Sequence, residues 1–297
     1  MVTIGTFDGV HQGHQSILKQ VKALAVENGG ESVLLTFYPH PRMVLQPELS
    51  GLRLLNSPEE KARLLEAAGI DHLVVYPFSE SFSRLPAEEY VRDLLVVGIG
   101  VKKLVVGYDH RFGRNREGDI RTLFELAEIF GFSVVEIPAQ RIDEIKISST
   151  KIRNALAEGD IASARQGLGY DYPVTGTVVK GSGRGADLGF PTANVLPSYP
   201  MKLIPARGVY AVFVHHFGKK SPAIMNIGVR PTVTSDNVEV IEVHIPGVAE
   251  NLYGEIITMD FVERIRDEQK FGSIDALKNQ IALDRTAAEK IFARHRQ

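Results

Sequence analysis

The chain has 297 residues, of which 44% are hydrophobic and 24% charged, values typical of a soluble globular protein with room for two domains. Its formal net charge is -2, and no basic tract with interleaved aromatic residues is present, so nucleic acid is not an expected partner. The absence of cysteine excludes disulfides, thiolate metal sites and thiol catalysis. Without a long apolar run or a signal peptide, we expect no membrane association and a cytoplasmic location.

The most informative stretch comes at the start of the chain. Residues 5–14 read Gly-Thr-Phe-Asp-Gly-Val-His-Gln-Gly-His, after a predicted strand over residues 2–4 and before a helical pattern. This order places His11 and His14 where a strand ends and a helix begins. The free N–H groups and partial positive charge of a helix N-terminus favour a phosphate group there. The alternative is a pair of histidines that only cap the helix or pack against it.

The first half of the chain alternates predicted strands with predicted helices. Short apolar runs favour buried strands, and Ser57 with Pro58 and Glu60 marks a helix start. This alternation predicts a parallel sheet covered on both faces, with ligands at the carboxyl ends of the strands. The predicted strands cover residues 33–37, 73–76, 104–107 and 133–137, and the predicted helices cover residues 58–68, 86–95, 119–130 and 150–167.

The second half of the chain has a different sequence pattern. Short β-rich segments over residues 209–214, 238–245 and 255–260 are separated by frequent Gly and Pro, a pattern typical of a sandwich or a small barrel. A closing helix is predicted over residues 274–294. Four apolar side chains are predicted to share the buried face of that helix: Leu277, Ile281, Ile291 and Phe292.

The pattern changes at residues 169–173, Gly-Tyr-Asp-Tyr-Pro, which we predict to be a linker. The fold class is therefore α/β plus β. The predicted domains are residues 1–168, with a parallel sheet and helices, and residues 169–297, with antiparallel strands and a closing helix.

A second candidate phosphate site covers residues 147–153, Ile-Ser-Ser-Thr-Lys-Ile-Arg. Three hydroxyl groups begin a predicted helix that carries a lysine and an arginine in its first turns. Hydroxyls, helix N–H groups and Arg153 together suit the β- and γ-phosphates of a nucleotide. The alternative is that Ser149 caps the helix and the other side chains form a solvated face.

The second half contains a glycine-rich run from residue 176 to residue 194. Gly181, Gly183 and Gly185 would allow close backbone approach to a ligand, or would simply form a mobile hairpin. The run is neither a Walker motif nor a dinucleotide-binding fingerprint, because Gly-Lys-Ser/Thr and the strand–helix context are missing.

The first ten-residue motif resembles the His-x-Gly-His signature of the nucleotidyltransferase superfamily. Its Gly-x-Phe-Asp-Gly prefix resembles the flavin branch, the FMN adenylyltransferases, and residues 147–153 match the Ile-Ser-Ser-Thr-x-Ile-Arg signature of the same family. The resemblance implies a Rossmann-like sheet and adenylyl transfer, in which His11 and His14 contact the triphosphate of ATP. It further implies ATP or phosphate binding by Gly5, Phe7, Asp8, Ser148, Ser149, Thr150 and Arg153.

Two further runs resemble that flavin branch. They are Phe-Tyr-Pro-His-Pro over residues 37–41, after the second strand, and Gly-Tyr-Asp-His-Arg-Phe-Gly over residues 107–113, after the fourth. In the family these loops line the flavin and adenine pockets. The resemblance implies flavin binding by His40 and Asp109, whereas a proline-stiffened turn is the alternative for the first run.

Gly-Phe-Pro-Thr-Ala-Asn, residues 189–194, is the hallmark of riboflavin kinases. This resemblance implies a small antiparallel barrel in which Thr192 and Asn194 hold the Mg²⁺ of MgATP. Glu242 lies in a segment similar to the one that bears the catalytic glutamate, which takes a proton from the substrate hydroxyl. The resemblance also implies nucleotide contacts from the glycine-rich loop and flavin contacts from Asn226 and Arg266.

The local pattern around Glu242 leaves a second interpretation open. Strand alternation places Glu242 on the face opposite Ile241 and Val243, where an outward-facing solvated carboxylate is the alternative. Glu239 on the same segment is predicted to be solvated. The following loop, residues 246–251, departs from the acidic pattern that the family usually carries.

The resemblance covers nearly the whole chain and implies a bacterial bifunctional riboflavin kinase/FMN adenylyltransferase, or FAD synthetase. ATP, riboflavin and FMN are the expected partners, Mg²⁺ accompanies ATP, and the flavins, FAD included, are substrates and products. One alternative is a nucleotidyltransferase for another acceptor, such as nicotinamide mononucleotide. Another is a flavin-binding regulator or carrier without catalysis. The sequence leaves the oligomeric state open.

Overall fold

The computed structural model describes residues 1–46, 48, 51–137, 147–181, 190–230, 238–248 and 251–295. The chain divides into two compact units. The first comprises Met1–Leu54 and Pro58–Ser148, and the second comprises Leu55–Ser57 and Ser149–Gln297.

In the first unit the described residues form a five-stranded parallel sheet in the order β3-β2-β1-β4-β5. Leu34, Leu35, Leu104 and Val105 are fully buried in its central strands, as expected for a sheet covered on both faces. The strands are β1 Val2–Ile4, β2 Val33–Tyr38, β3 His72–Pro77, β4 Lys103–Gly107 and β5 Ser133–Ile137. The helices are α1 Gln12–Glu27, α2 Pro41–Leu45, α3 Pro58–Ala67, α4 Glu80–Ser83, α5 Ala87–Glu89 and α6 Ile120–Phe130.

The strand order creates a switch point between β1 and β4, the pair from which the connections run in opposite directions across the sheet. Ligands in open parallel sheets bind at the carboxyl ends of the strands beside such a point. The loops that follow β1 and β4 begin there, and they carry the first motif and the run over residues 107–113.

Local chemistry explains the ends of α6, which was predicted to within a residue. The Asp119 carboxylate accepts hydrogen bonds from the backbone N–H groups of Arg121 and Thr122 at 3.0 and 3.1 Å. Gly131 ends the helix with a φ of 72°, a left-handed conformation that glycine adopts without steric cost.

The helix predicted over residues 86–95 is present with a different geometry. After α5 the chain continues as a π-helix, Tyr90–Gly98. Its buried side chains are Tyr90, Val91, Leu94 and Leu95, which recur at intervals of four residues. An α-helix presents that spacing on one face as well, so the apolar pattern alone does not distinguish the two geometries.

The second unit contains a closed barrel in the order β10-β7-β6-β11-β8-β9, in which β9 pairs with β10. All its ladders are antiparallel, which decides between the predicted sandwich and the predicted barrel in favour of the barrel. The strands are β6 Tyr172–Val179, β7 Ala193–Pro197, β8 Gly208–His216, β9 Lys219–Arg230, β10 Val238–His244 and β11 Ile256–Arg266. The helices are α7 Ser149–Glu158, α8 Ile161–Leu168 and α9 Ile274–His295. Among the described helices, none combines the length and apolarity that a bilayer crossing requires.

The predicted linker over residues 169–173 is wrong at its end. Gly169 ends α8 with a φ of 81°, but Tyr172 already belongs to β6 and is fully buried. Its hydroxyl donates a hydrogen bond to the Leu203 carbonyl oxygen at 2.7 Å. The polar and proline residues of this segment resemble a turn, yet strict alternation of buried and half-buried positions runs from Tyr172 to Val179.

A short segment from the first half of the sequence belongs to the second unit. Leu55 is fully buried, and its carbonyl oxygen accepts a hydrogen bond from the Lys202 ammonium at 2.6 Å. The same ammonium lies 4.2 Å from the centre of the Tyr172 ring. Asn56 is also buried and donates to the Tyr170 hydroxyl at 3.4 Å.

Helix α9 packs on the barrel through the predicted face, with one charged addition. Ile291 and Phe292 are buried, and Leu277 and Ile281 are half-buried. The same face carries Asp284, whose carboxylate receives two hydrogen bonds from the Arg266 guanidinium at 2.9 and 2.8 Å and one from Gln280. This buried two-bond ion pair ties the end of β11 to α9.

Replacing Asp284 by alanine is expected to lower the free energy of unfolding by about 3 kcal/mol, because it leaves the half-buried Arg266 guanidinium without its carboxylate partner. Glu289→Ala is the matched control on the same helix. It removes an exposed ion pair with Arg285 and should cost no more than about 1 kcal/mol. Calorimetric unfolding of both variants measures the difference, and equal stability of the two would contradict the importance of this pair.

Candidate active sites

The loop after β1 has an unusual backbone. Phe7 and Val10 have φ values of 44° and 34°, and Gly9 between them has a φ of 87°. Left-handed conformations are costly for bulky and β-branched residues and persist only where packing holds them. Phe7 and Val10 are both buried in a cluster with Leu18, so burial of apolar surface stabilises the strained loop. Strain of this kind is typical of functional loops.

This loop brings His11 and His14 together. Their rings stack with centroids 3.6 Å apart and an interplanar angle of 14°. The His11 Nδ1 accepts a hydrogen bond from the His14 backbone N–H at 3.3 Å, so His11 caps α1. The Phe7 ring lies against His14 with a centroid distance of 4.7 Å. Capping, the alternative considered from the sequence, is therefore present, but it occupies His11 and not the His14 ring.

The environment of His14 indicates an uncharged imidazole. Burial, followed by the nearby His11 and Lys61, holds the pKa of His14 well below its usual value. Within the described residues, the His14 Nδ1 is buried without a hydrogen-bond partner. A buried polar atom of this kind is costly unless a ligand or water satisfies it. The geometry therefore indicates a ligand-binding position at His14.

Asp8 and Lys61 complete the surroundings of this loop. Asp8 is buried, and the Lys61 ammonium of α3 donates a hydrogen bond to the Thr6 carbonyl oxygen at 2.7 Å. Burial lowers the pKa of Lys61, while the nearby Asp8 carboxylate opposes that shift. No sequence pattern singled out Lys61, because Pro-Glu-Glu-Lys is typical of an ordinary solvated helix start.

The remaining side of the first motif is closely packed. Gly5 donates a backbone hydrogen bond to the Leu35 carbonyl oxygen at 3.0 Å. A Cβ at this position would come within 2.8 Å of the Phe7 ring. Glycine is therefore required here for the backbone to pass the ring that supports His14.

The loops that follow β2 and β4 hold the two predicted flavin-binding residues of the first unit. His40 caps α2, because its Nδ1 accepts from the Arg42 backbone N–H at 3.2 Å. Asp109 is exposed. Its neighbour His110 has a buried Nε2 that lacks a hydrogen-bond partner among the described residues. Burial lowers the pKa of His110 to about 4, against the opposing effect of Asp109.

The low pKa of His110 predicts acid sensitivity of the first unit. Between pH 6.5 and about pH 4 the unfolded chain binds a proton that the folded chain rejects, so the free energy of unfolding falls as the pH falls. Above pH 6.5 His110 is neutral in both states and costs nothing, and the loss of unfolding free energy that it causes grows to about 3 kcal/mol as the pH falls to 4. The free energy of unfolding, measured with urea at several pH values across this range, should depend less steeply on pH for His110→Phe than for the parent. The exposed His72→Gln control should keep the slope, and identical slopes in all three proteins would contradict the prediction.

The second candidate phosphate element begins α7. Ser148 closes the first unit, whereas Ser149, Thr150 and Arg153 belong to α7 in the second. No acidic residue occupies the first turn of this helix, which carries Lys151. A cation at a helix N-terminus is repelled by the positive end of the helix dipole. A bound anion would be attracted to the cation and to the helix N-terminus. This arrangement is compatible with both interpretations of the element, a phosphate site and a capped helix start with a solvated face.

The barrel places three predicted site residues in one row. Glu242 of β10 pairs directly with Asn194 of β7 on one side and with Asn226 of β9 on the other. Directly opposed residues in antiparallel strands share a face of the sheet. Glu242 is half-buried between the buried Ile241 and Val243, which confirms the predicted alternation.

Glu239 behaves as predicted for a solvated carboxylate. It is exposed and forms an ion pair with Arg207 at 3.6 Å. The contrast with the half-buried Glu242 on the same strand separates a surface residue from a candidate site residue.

The glycine-rich run approaches this row from one end. A Cβ at Gly181 would collide with the Asn194 side-chain amide, so a larger residue there would require Asn194 to move. Asn194 is 9% exposed, and Thr192 two residues earlier is half-buried. Gly183 and Gly185 lie outside the described residues.

His244 is a neighbour of this site that no sequence pattern assigned a role. Two residues beyond Glu242 on β10, its Nδ1 donates to the Pro191 carbonyl oxygen at 2.9 Å. The Phe190 ring meets its imidazole edge-on with centroids 5.8 Å apart. These contacts fix the segment that presents Thr192.

Arg266, which was predicted to contact flavin, is already bound to another residue of the chain. Its guanidinium is committed to Asp284 and lies 5.7 Å from the Phe271 ring centre. The following segment contacts β9 through Glu268, which accepts a hydrogen bond from the Val229 N–H at 3.2 Å. Arg266 thus anchors the segment that carries Glu268.

Comparison with known proteins agrees with this two-part description. Family models described as "FAD synthetase" and "Riboflavin kinase" match residues 1–151 and 168–292. Bifunctional riboflavin kinase/FMN adenylyltransferases from Pseudomonas fluorescens and Escherichia coli K12 are 39% and 38% identical to the chain. The first alignment covers 99% of this chain and 93% of the relative, and the second covers 98% and 92%. A solved structure from Streptococcus pneumoniae, described as a macrolide-efflux protein, is 31% identical with a TM-score of 0.87 and covers 97% of this chain and 93% of its own.

The fold and these matches define a two-part transferase, with a parallel sheet and helices in the first part and an antiparallel barrel in the second. The chain belongs to the family of bifunctional riboflavin kinase/FMN adenylyltransferases, the bacterial FAD synthetases. It has both activities: it phosphorylates riboflavin to FMN and adenylylates FMN to FAD. ATP is used in both steps together with Mg²⁺, and the flavins are substrates and products.

Proposed function

We propose that the two reactions are divided along the chain, with FMN adenylyltransferase activity in residues 1–168 and riboflavin kinase activity in residues 169–297. The observation that carries the first assignment is the buried Nδ1 of His14, beside the sheet switch point, which has no hydrogen-bond partner among the described residues. The second assignment rests on Glu242 between Asn194 and Asn226. Because both reactions consume ATP, we place the enzyme in the cytoplasm.

In adenylyl transfer an FMN phosphate oxygen attacks the α-phosphorus of ATP, and pyrophosphate leaves. The phosphate monoester is already anionic near neutral pH, so the enzyme needs to position two anions and to stabilise charge on the leaving group. His11 and His14 contact the reacting phosphates, and the backbone of Gly5, Phe7 and Asp8 shapes the loop. The β- and γ-phosphates are held by the second element: Ser148, Ser149, Thr150 and Arg153.

In the kinase reaction the Glu242 carboxylate accepts the proton of the ribityl 5′-hydroxyl as its oxygen attacks the γ-phosphorus of ATP. The Thr192 hydroxyl and the Asn194 amide oxygen are hard ligands of the type that Mg²⁺ prefers. Gly181 approaches Asn194 so closely that a side chain at position 181 would displace the Asn194 amide. When bound, Mg²⁺ neutralises phosphate charge, and Gly181, Gly183 and Gly185 let the backbone approach the nucleotide.

Flavin contacts are divided in the same way. His40 and Asp109 lie in the loops that follow β2 and β4, at the carboxyl end of the sheet. Asn226 lies beside Glu242, where it can orient the ribityl chain. Arg266 acts through the segment that it anchors to Asp284.

The experiment that tests the two chemical steps follows labelled phosphorus in the full-length chain. With riboflavin, γ-labelled ATP should give labelled FMN. With FMN as the only flavin, α-labelled ATP should give labelled FAD, and γ-labelled ATP should give labelled pyrophosphate. Label from the α-position in FMN, or from the γ-position in FAD made from unlabelled FMN, would contradict the assignment. Variants at His14 and Glu242 then test which part of the chain performs each step.

A further inference from the structure

Lys61 reaches the loop of the proposed adenylyl-transfer site from a different element. It lies on α3, and its ammonium donates to the carbonyl oxygen of Thr6, which precedes the Phe7 ring that packs on His14. The Lys61 side chain is half-buried. Arg63 lies on the same helix and is exposed. An ammonium has three donors, and the hydrogen bond to Thr6 is the contact that the described residues give it.

The charges around this ammonium explain why its position matters. His14 is held neutral by burial, so its imidazole offers a polar ring nitrogen rather than a fixed positive charge at this position. Lys61 is close enough to His14 to contribute to that lowered pKa. A phosphate that contacts the unsatisfied His14 Nδ1 would therefore lie within the field of the Lys61 ammonium. In a site with little water such a charge acts strongly on developing negative charge.

We propose that Lys61 is a further catalytic residue of FMN adenylyl transfer, whose ammonium donates to an oxygen on the α-phosphorus of ATP. The bond between the FMN phosphate oxygen and the α-phosphorus forms as the bond to the bridging oxygen breaks. The electron pair of the broken bond leaves with pyrophosphate. Lys61 stays protonated throughout and transfers no proton. This inference rests on the proposed placement of adenylyl transfer at His11 and His14.

Three full-length variants test the role. Lys61→Gln removes the charge but keeps an N–H donor for the Thr6 carbonyl oxygen, and Lys61→Arg keeps the charge. Arg63→Gln is the matched control on the exposed side of the helix. We expect Lys61→Gln to lower kcat for FAD formation from FMN on the order of a hundredfold. The kcat of Lys61→Arg should be at least about tenfold higher than that of Lys61→Gln. Arg63→Gln should stay within about twofold of the parent.

Riboflavin phosphorylation by the same chains is the internal readout of folding, and it should be unchanged in all three variants. A purely structural role would give Lys61→Gln a kcat within about threefold of the parent, or would leave the arginine variant no better than the glutamine variant. Either result overturns the proposal. His14→Ala is measured in parallel. If that variant still makes FAD, the proposed site itself is misplaced, whereas its inactivity beside an active Lys61→Gln rejects only the role of Lys61.

Discussion

Replacing His14 by alanine is expected to abolish FAD formation while FMN continues to accumulate from riboflavin. The change removes the imidazole that stacks on His11 and whose Nδ1 is buried without a partner among the described residues. Loss of a positioned charge-stabilising group should lower the rate of adenylyl transfer on the order of a hundredfold or more. Chromatography of the flavins formed from riboflavin and MgATP over time measures both steps in one reaction.

The matched control for this variant is His72→Ala, which removes an exposed imidazole from the edge strand of the same sheet. It should leave both products unchanged. Circular dichroism is required alongside, because His14 also packs on Phe7. A folded His14→Ala protein that had lost both activities would contradict the division of labour, and one that formed FAD normally would remove His14 from the chemistry.

Replacing Glu242 by glutamine is expected to give the opposite result. The amide keeps the size of the side chain and its place between Asn194 and Asn226, but it cannot accept the proton of the ribityl hydroxyl. Riboflavin phosphorylation should fall on the order of a hundredfold or more, while FAD synthesis from added FMN continues. Initial rates with riboflavin and with FMN as alternative substrates separate the two effects, and Glu242→Ala should behave in the same way.

Glu239→Gln supplies the comparison on the same strand. Glu239 is exposed and lies near Arg207 rather than in the row of site residues. The substitution should leave riboflavin phosphorylation within about twofold of the parent, because exposed ion pairs contribute little. Comparable losses in the two glutamine variants would show that charge on β10, rather than a base at position 242, controls the kinase step.

Most elements of the fold follow from the sequence because their signals are local. The strand over residues 133–137 was predicted to the residue, and the Asp119 cap and Gly131 stop define α6 through contacts with their own neighbours. The π-helical geometry of Tyr90–Gly98 was not predictable from the apolar pattern. The linker prediction failed at Tyr172 because its burial depends on barrel strands that are distant in sequence.

The same distinction applies to the candidate sites. The histidine pair, Thr192, Asn194 and Glu242 lie in contiguous motifs, so resemblance was sufficient to single them out. Lys61 and His244 acquire their positions through contacts with Thr6 and Pro191, which are 55 and 53 residues away in the chain. Asp284 was not predicted, because the role of a carboxylate on an apolar helix face depends on its ion pair with Arg266, which the sequence pattern does not show.

The segment Leu55–Ser57 bears on how such an enzyme can be dissected. Its backbone supplies an acceptor to the Lys202 ammonium, which is only 4% exposed and also rests on the Tyr172 ring. A kinase fragment that began at residue 169 would lack this acceptor and the fully buried Leu55 side chain. Three residues of the amino-terminal half are therefore structural parts of the carboxy-terminal unit, and a fragment made by one cut after them would lack all three.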